Sequence, residues 1–400
     1  MPLALEGVRI IDLTTWQQGS GGPAMLADLG ADVVKIEDPV LGDPSRAVSM
    51  SPKEAQSPLR SLFEAMNRNK QGMTLNLKSP EGRQILYRMV QGADVVAMNF
   101  RPGVAETLGV DYQTLVKYNP KIIVASTNGL GAKGPDASVG LYDIMGHARS
   151  GLMTLLSDPE QPLRYVGAWG LSDQTAAIML AYSILAALVA RSNHGEGQEV
   201  TSSQLGSAMT WQTLAIQSFL FSNEQPKPLS REKSRSPLFN IYRAKDDRWL
   251  CLACTQSERY WPDVLEVLGL ANLKEDPTFA TEAARSENSA QLITILDERF
   301  LSQDRDEWVR ALNAHGVLVS AVQDYHDLVR DPQVEANHYI VEMDHPSAGP
   351  VKVLGVPLSF SKTPTRAPKA APEFGQHTET VLLELGYSWD EITNFRDGGV

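Results

Sequence analysis

Three patterns predict an α/β protein with a Rossmann-like, parallel-sheet large domain and a smaller α+β domain. Over the first 200 residues, strand-like runs that are apolar throughout alternate with helix-like segments, which indicates a parallel sheet covered on both faces. A polar, proline-bearing stretch, SNEQPKPLSREKSRS, then interrupts the chain. The length of 400 residues is also more than one hydrophobic core ordinarily serves.

The elements follow in order. GVRIIDLT is a short apolar strand, and Pro23 to Leu29 reads as a helix closed by Gly30. ADVVKIE is a second strand, Glu81 to Gln91 a helix, and ADVVAMNF a third strand. Tyr112 to Lys117 is a short helix before the strand KIIVAST, and Gln174 to Arg191 is a long apolar helix. HGEGQEV is a turn leading to a further strand. The large domain is expected over 1–221, a linker over 222–236, a small domain over 237–331, and a return segment completing the large domain over 332–400. In the small domain LFNIYRA and RWLCLAC form a hairpin, followed by helices at Tyr260 to Leu268, Ala290 to Leu301 and Arg305 to His315. The tail has proline and glycine punctuation and a last helix from His377 to Leu385. Ligands of open parallel sheets gather at the carboxyl ends of the strands. This directs attention to the loops TTWQQGSGG, IEDPVLGDPSR, NFRPGV and TNGLGAKGP.

Composition narrows the function. Lys plus Arg is 36 against 48 Asp plus Glu, a net charge of −12, which disfavours a nucleic-acid or anionic-membrane surface. The apolar run from Ala176 to Ala190 is shorter than the roughly 20 residues of a membrane span and reads as a core helix. No basic region followed by an apolar stretch and a cleavage site opens the chain, so a soluble cytoplasmic protein is expected. Cys251 and Cys254 lie in a strand-like run where positions i and i+3 face apart, so they are expected to be structural. The seven histidines make no metal-ligand spacing, and no metal is expected.

Candidate chemistry comes from three groupings. Gly19, Gly21 and Gly22 follow the first strand and Glu37 ends the second, which imitates a dinucleotide fold without the required G-x-G-x-x-G order. These glycines also read simply as turn residues. Arg46, Arg68, Lys70, Lys78, Arg101 and Lys133 cluster in the N-terminal loops, as either a phosphate-binding surface or a solvated charged one. Asp173 stands at the mouth of the long apolar helix. On position alone it reads as a helix N-cap. The same geometry, with Gly167 and Gly170 nearby and free N–H groups at the helix start, suits a carboxylate that attacks a carbonyl.

Read together, many segments resemble the class III CoA transferases (CaiB/BaiF type), a family that includes formyl-CoA, carnitine and bile-acid CoA transferases. They include GVRIIDLT, LADLGADVVKIE, GDPSR, NRNKQGMTLNLKSPEGR, ADVVAMNFRPGV, GLYDIMGHARSGLM, LSDQTAA, GEGQEV and FGQHTETVLLELG, in order through nearly the whole chain. The resemblance implies a nucleophilic aspartate at Asp173. It implies coenzyme A contacts at Gln17, Leu75, Lys78, Asn99 and Phe100, with Arg101 as a further contact. Tyr142 and Asp143 match an aromatic–acid pair beside the nucleophile, while Trp16 and His147 fall in its vicinity. Coenzyme A is then a co-substrate, with no tightly bound cofactor. The partners are an acyl-CoA and a small carboxylic acid. The implied assembly is an interlaced, ring-like homodimer.

The chain departs from the family pattern at several points. Asp38 stands where some members carry an Arg that holds the nucleotide, Thr107 where an Arg commonly precedes LG, and His147 where Gln is common. The glycine-rich lid of formyl-CoA transferase is missing. Within the same superfamily the α-methylacyl-CoA racemases are the alternative. They use a His–Asp pair for proton transfer, and the place of that His is occupied here by Tyr142. A nicotinamide dehydrogenase and a non-catalytic CoA-binding module are more distant readings.

Overall fold

The structure, a computed structural model, describes residues 1–157, 162, 163, 165, 170–226 and 230–400. The chain separates into two compact units. One comprises Met1–Leu156, Leu163–Pro226 and Glu335–Val400; the other comprises Ser157–Pro162 and Lys227–Val334.

The first unit is built on six parallel strands: β1 (Arg9–Asp12), β2 (Asp32–Glu37), β3 (Gln71–Thr74), β4 (Val95–Met98), β5 (Ile123–Asn128) and β6 (Glu199–Ser203). Their order is β3-β2-β1-β4-β5-β6. The chain therefore leaves the middle of the sheet in one direction, returns, and continues in the other. The reversal lies between β1 and β4, whose carboxyl ends open a natural binding crevice. Six helices matter for the site: α1 (Trp16–Asp28), α2 (Pro80–Val90), α3 (Asp143–Ser150), α4 (Leu171–His194), α5 (Gln204–Trp211) and α6 (Thr213–Ser222).

The apolar strands are buried on both faces because alternate side chains enter different cores. Ile11, Val96 and Met98 pack with Ile85, Leu86 and Val90 of α2 and with Val381 and Leu382 of the tail. Ile10, Val33, Val95 and Ala97 pack with Leu26 and Ala27 of α1 and Leu180, Ala181 and Ile184 of α4. By length and composition α4 could cross a membrane, but one side of it is core against the sheet. Its other side leaves Ile178, Tyr182 and Val189 exposed.

The glycine-rich segment TTWQQGSGG, expected as a loop, supplies the first turns of α1 instead. Its glycines are packing residues within a helix. A Cβ at Gly21 would lie 2.9 Å from the Cβ of Ala177 and 3.0 Å from Met66 Sδ; one at Gly22 would lie 3.1 Å from the Ala177 carbonyl oxygen. Low helix propensity is accepted here because only glycine lets α1 approach α4 this closely.

The second unit holds an antiparallel sheet of β7 (Phe239–Arg243), β8 (Trp249–Ala253) and β9 (Val319–Ala321). Helices Ser257–Leu268, Ser289–Phe300 and Arg305–Ala314 cover it. Tyr242, Leu250, Trp261, Phe300 and Trp308 are among its core residues. Cys251 and Cys254 are free. In the tail, the expected punctuation conceals a hairpin of β10 (Ile340–His345) and β11 (Gly349–Leu354). The helix Trp389–Asp397 was not anticipated, although Ser388 and Glu391 form a capping box at its start.

Replacing Gly21 by alanine should lower stability. The gain in helix propensity is about 1 kcal/mol, whereas overpacking two helix backbones costs about 1–3 kcal/mol. A chemical-denaturation midpoint for Gly21→Ala at or above the parent would contradict this packing.

Candidate active site

The site begins at the N-terminus of α4. Gly170 is the N-cap, in the left-handed region at φ +87, and it has no side chain to accept the helix's free N–H groups. A neighbouring helix supplies the acceptor. Asp143, at the start of α3, accepts on Oδ1 from the backbone N–H of Ser172 (2.8 Å) and of Asp173 (3.2 Å), and from Ser172 Oγ (2.6 Å). Asp173 is therefore not the N-cap that its position implied: it sits in the first turn, and Asp143 does the capping from outside. This capping also commits the Ser172 and Asp173 amides, which the sequence had offered as oxyanion donors. Gly167, named with them, lies outside the described residues.

The Asp173 carboxylate accepts a short hydrogen bond on Oδ1 from Gln204 Nε2, whose amide also donates to Ser172 Oγ at 3.0 Å. Gln204 opens α5 and is fully buried. Burial first, and then the negative charge of Asp143, push the Asp173 carboxyl up to about 7. Tyr165 donates to Asp143 Oδ2 at 2.9 Å. Burial, that hydrogen bond and the charges of Asp143 and Asp173 push its phenol up to about 12, so Tyr165 is a neutral donor at physiological pH. His147 is buried with its Nε2 3.4 Å from Asp143 Oδ2, and that nitrogen makes no hydrogen bond among the described residues.

Gln17 approaches from α1. Its Nε2 stands 3.4 Å from the Gly170 carbonyl oxygen and 3.3 Å from Gln174 Oε1. A Cβ at Gly170 would lie 2.2 Å from Gln17 Oε1, so the glycine leaves room for this amide. Trp16, before it, is partly exposed. Asp173, Asp143, His147 and Gln17 thus share one cluster. Tyr142, the N-cap of α3, is 70% exposed.

The other expected residues lie along the carboxyl edge of the sheet, after β3 and β4. Leu75 is buried in the core, and Phe100 packs against the same core. Asn99 uses both ends of its amide on the Thr15 backbone, accepting from its N–H at 2.9 Å and donating to its carbonyl at 2.8 Å. Lys78 is exposed and paired with Asp38 at 3.3 Å. Arg101 is exposed beside Gly140. The proposed basic cluster largely dissolves into internal ion pairs. Arg46 pairs with Glu37 and stacks on Phe63, Arg68 pairs with Asp28, and Lys70 is fully buried against Asp12. Sequence reasoning missed Gln204, Ser172 and Tyr165 as partners of the two carboxylates. Only the polar end of TSSQLG, where a strand meets a helix, hinted at Gln204.

This arrangement holds a desolvated carboxylate of raised basicity, backed by a second carboxylate and bonded by the Gln204 amide, with the Gln17 amide at the same helix end. It can act as a nucleophile toward an activated carbonyl. The family model for CoA-transferase family III matches residues 5–378. The chain belongs to CoA-transferase family III. As a family III CoA-transferase it is an enzyme that transfers coenzyme A, acting on CoA thioesters and carboxylates. It is 31% identical to an acyl-CoA transferase of Fusarium pseudograminearum, over 99% of this chain and 88% of that one. It is also 31% identical to the (R)-2-hydroxy-4-methylpentanoate CoA-transferase of Clostridioides difficile, over 100% of this chain and 99% of that one. A crystal structure of a CaiB/BaiF family protein from Brucella suis, 28% identical, superposes with a TM-score of 0.86, covering 96% of this CoA-transferase and 100% of that chain.

The raised Asp173 value has a consequence for stability. A carboxyl whose folded value lies above its unfolded one is favoured in its protonated form. Its contribution is full below about pH 4 and is lost as pH rises through about 7. Asp173→Asn should therefore match the parent in stability near pH 4 and exceed it above pH 8, by about 4 kcal/mol. Denaturation curves at the two pH values measure this. Equal differences at both would mean that the carboxylate is not destabilised by its surroundings.

Proposed function

We propose that this CoA-transferase moves coenzyme A from an acyl-CoA thioester to a carboxylic acid through covalent intermediates on Asp173. The observation that carries the reading is the placement of the Asp173 carboxylate in the first turn of α4, bonded by Gln204 and beside Asp143, where burial and that charge raise it to about 7. In the first step a carboxylate oxygen of Asp173 attacks the thioester carbonyl. The C–S bond breaks, giving an aspartyl–acyl anhydride and CoA thiolate. The thiolate attacks the aspartyl carbonyl, the donor leaves as its carboxylate, and an aspartyl-CoA thioester remains. The acceptor carboxylate then displaces the thiolate to form a second anhydride. The thiolate attacks the acceptor's carbonyl, and Asp173 is released as a carboxylate. Overall one thioester is exchanged for another of similar energy, and the covalent intermediates divide that exchange into separate acyl transfers.

Gln17 supplies a donor to the developing oxyanion. Its amide stands at the same helix end, 3.4 Å from the Gly170 carbonyl oxygen and 3.3 Å from Gln174 Oε1. Gln204 orients the nucleophile. In this reading coenzyme A lies along the carboxyl edge of the sheet past Leu75, Lys78, Asn99, Phe100 and Arg101. Racemisation is not favoured: Tyr142 stands where that chemistry needs a histidine base.

Intact-mass spectrometry with a panel of acyl-CoAs, followed by hydroxylamine trapping and peptide mapping, tests the proposal. An adduct on the Asp173 peptide, absent from Asp173→Ala, is the expected result. Near-normal turnover by clean Asp173→Ala would sink it. The free-enzyme kcat/KM should rise with pH through about 7 as Asp173 ionises. A profile flat from pH 5 to 9 would argue against a carboxylate nucleophile with this environment.

The reading includes a homodimer. Helix α6 buries none of its residues within the chain, leaving Leu214 87% and Phe221 83% exposed, and α4 presents Ile178, Tyr182 and Val189. An apolar surface of that extent is covered in solution by another surface. Sedimentation should give twice the chain mass, and Leu214→Asp with Phe221→Asp should shift it toward the monomer. An unchanged mass in the double variant would place the interface elsewhere.

A further inference from the structure

Trp16 has φ 61, in the left-handed region that a bulky residue enters only under constraint. The constraint is a set of side chains acting on consecutive backbone groups. Lys35 Nζ donates to the Thr14 carbonyl at 2.8 Å. Asn99 holds both the N–H and the carbonyl of Thr15. Asp43 Oδ1 accepts from the Trp16 N–H at 3.3 Å, and also from the N–H and Oγ of Ser45 at 2.9 and 2.7 Å. Asp43 Oδ2 takes Lys35 Nζ at 2.8 Å, with both side chains wholly buried. These groups come from β2, from the loop after it and from the end of β4, so the clamp is anchored on the sheet. The next residue is Gln17, whose amide stands against the first turn of α4. Strained backbone persists only where its surroundings over-determine it, and such places concentrate at active sites.

We propose that Asp43, backed by Lys35, is a positioning residue for CoA transfer: it holds Trp16 in the left-handed conformation so that Gln17 is aimed at the start of α4. This rests on the reading of Asp173 as the reacting group. Asp43 needs both of its oxygens, one for Lys35 and one for Trp16 and Ser45. An asparagine has a single oxygen, so turning it to Lys35 would place an NH2 against the Trp16 N–H.

Two variants separate backbone conformation from the indole. Trp16→Gly and Trp16→Ala both remove the ring, but only alanine resists φ 61. Trp16→Gly is expected to keep a kcat about tenfold above that of Trp16→Ala, with similar KM values. Asp43→Asn should lower kcat when residue 16 is Trp or Ala and leave it near its parent in the Trp16→Gly background, where no strain opposes the conformation. Equal kcat in the two Trp16 variants, or the same fold-loss from Asp43→Asn in every background, would overturn the proposal. Should Asp43→Asn not fold, the Trp16→Gly against Trp16→Ala contrast decides alone. Trapping on the unsubstituted protein separates the two levels. An Asp173 adduct together with equal kcat values overturns the clamp only, whereas absence of the adduct overturns the reading beneath it.

Discussion

The site depends on the Asp143 carboxylate bonded to the open end of α4. A helix N-terminus carries about half a positive charge and several N–H groups without intrahelical partners. Gly170 cannot satisfy them, so a carboxylate from α3 does. Ser172, Tyr165 and His147 are arranged around that carboxylate, and Gln204 reaches it through the Ser172 hydroxyl. The positive end of the helix is thereby matched by Asp143, and Asp173 becomes a second carboxylate where one already suffices. Its neighbours are an amide and a like charge in place of a cation. The upward push on its acidity follows from this placement.

The sheet beneath is arranged to keep these helix ends in place. At the reversal between β1 and β4, the residues after β1 are held by the residue after β4, Asn99, and by the lysines of two adjoining segments. Lys35 pairs with Asp43 and Lys70 with Asp12, all four without exposed side-chain surface. Burial pulls the Lys70 ammonium down to about 8, against the pull of Asp12 in the other direction. Buried ion pairs of this kind add little net stability over apolar packing, but they fix geometry, because a displaced partner leaves a bare charge in the interior. Here they fix the backbone from Thr14 to Trp16, which leads directly into Gln17.

How far this was legible in the sequence depended on whether a signal was local. Apolar strands and the long helix announced the parallel sheet, whereas Asp173 on position alone read as a helix N-cap, a role the structure gives to Gly170 with Asp143 as the acceptor. The glycines of TTWQQGSGG misled, because local propensity reads glycine as a turn residue, while their reason here is a distant one, the approach of α4. The basic residues misled in the same way. Arg46, Arg68 and Lys70 are answered by Glu37, Asp28 and Asp12, and nothing in their own segments reveals those partners. Gln204 lies 31 residues from Asp173. A hydrogen bond of that separation is set by the path of β6 and α5 and leaves no local pattern. The hairpin of β10 and β11 escaped because proline and glycine at its turn obscured the alternation on either side.

The destabilised Asp173 carboxylate also bears on the direction of the proposed chemistry. Whatever raises a carboxylate's affinity for a proton raises the free energy of the ionised resting state, and any reaction that removes the charge relieves it. Acylation does so as completely as protonation: once Asp173 is an anhydride or a thioester, the repulsion from Asp143 and the unfavourable burial of its charge are gone. The charge passes to the thiolate or to the departing acid, which can move toward solvent or toward the Gln17 donor. Each unit of raised pKa corresponds to about 1.4 kcal/mol between the charged and neutral forms. A shift to about 7 therefore favours the covalent intermediates by a few kcal/mol over those of an exposed aspartate. Aspartyl anhydrides lie high in energy, and a thioester exchange near thermal neutrality has little driving force with which to reach them. In the proposed chemistry burial, and then the charge of Asp143, narrow that gap by raising the starting point, while the bonds of Asp143 to Ser172 and Asp173 hold the backbone of the helix start.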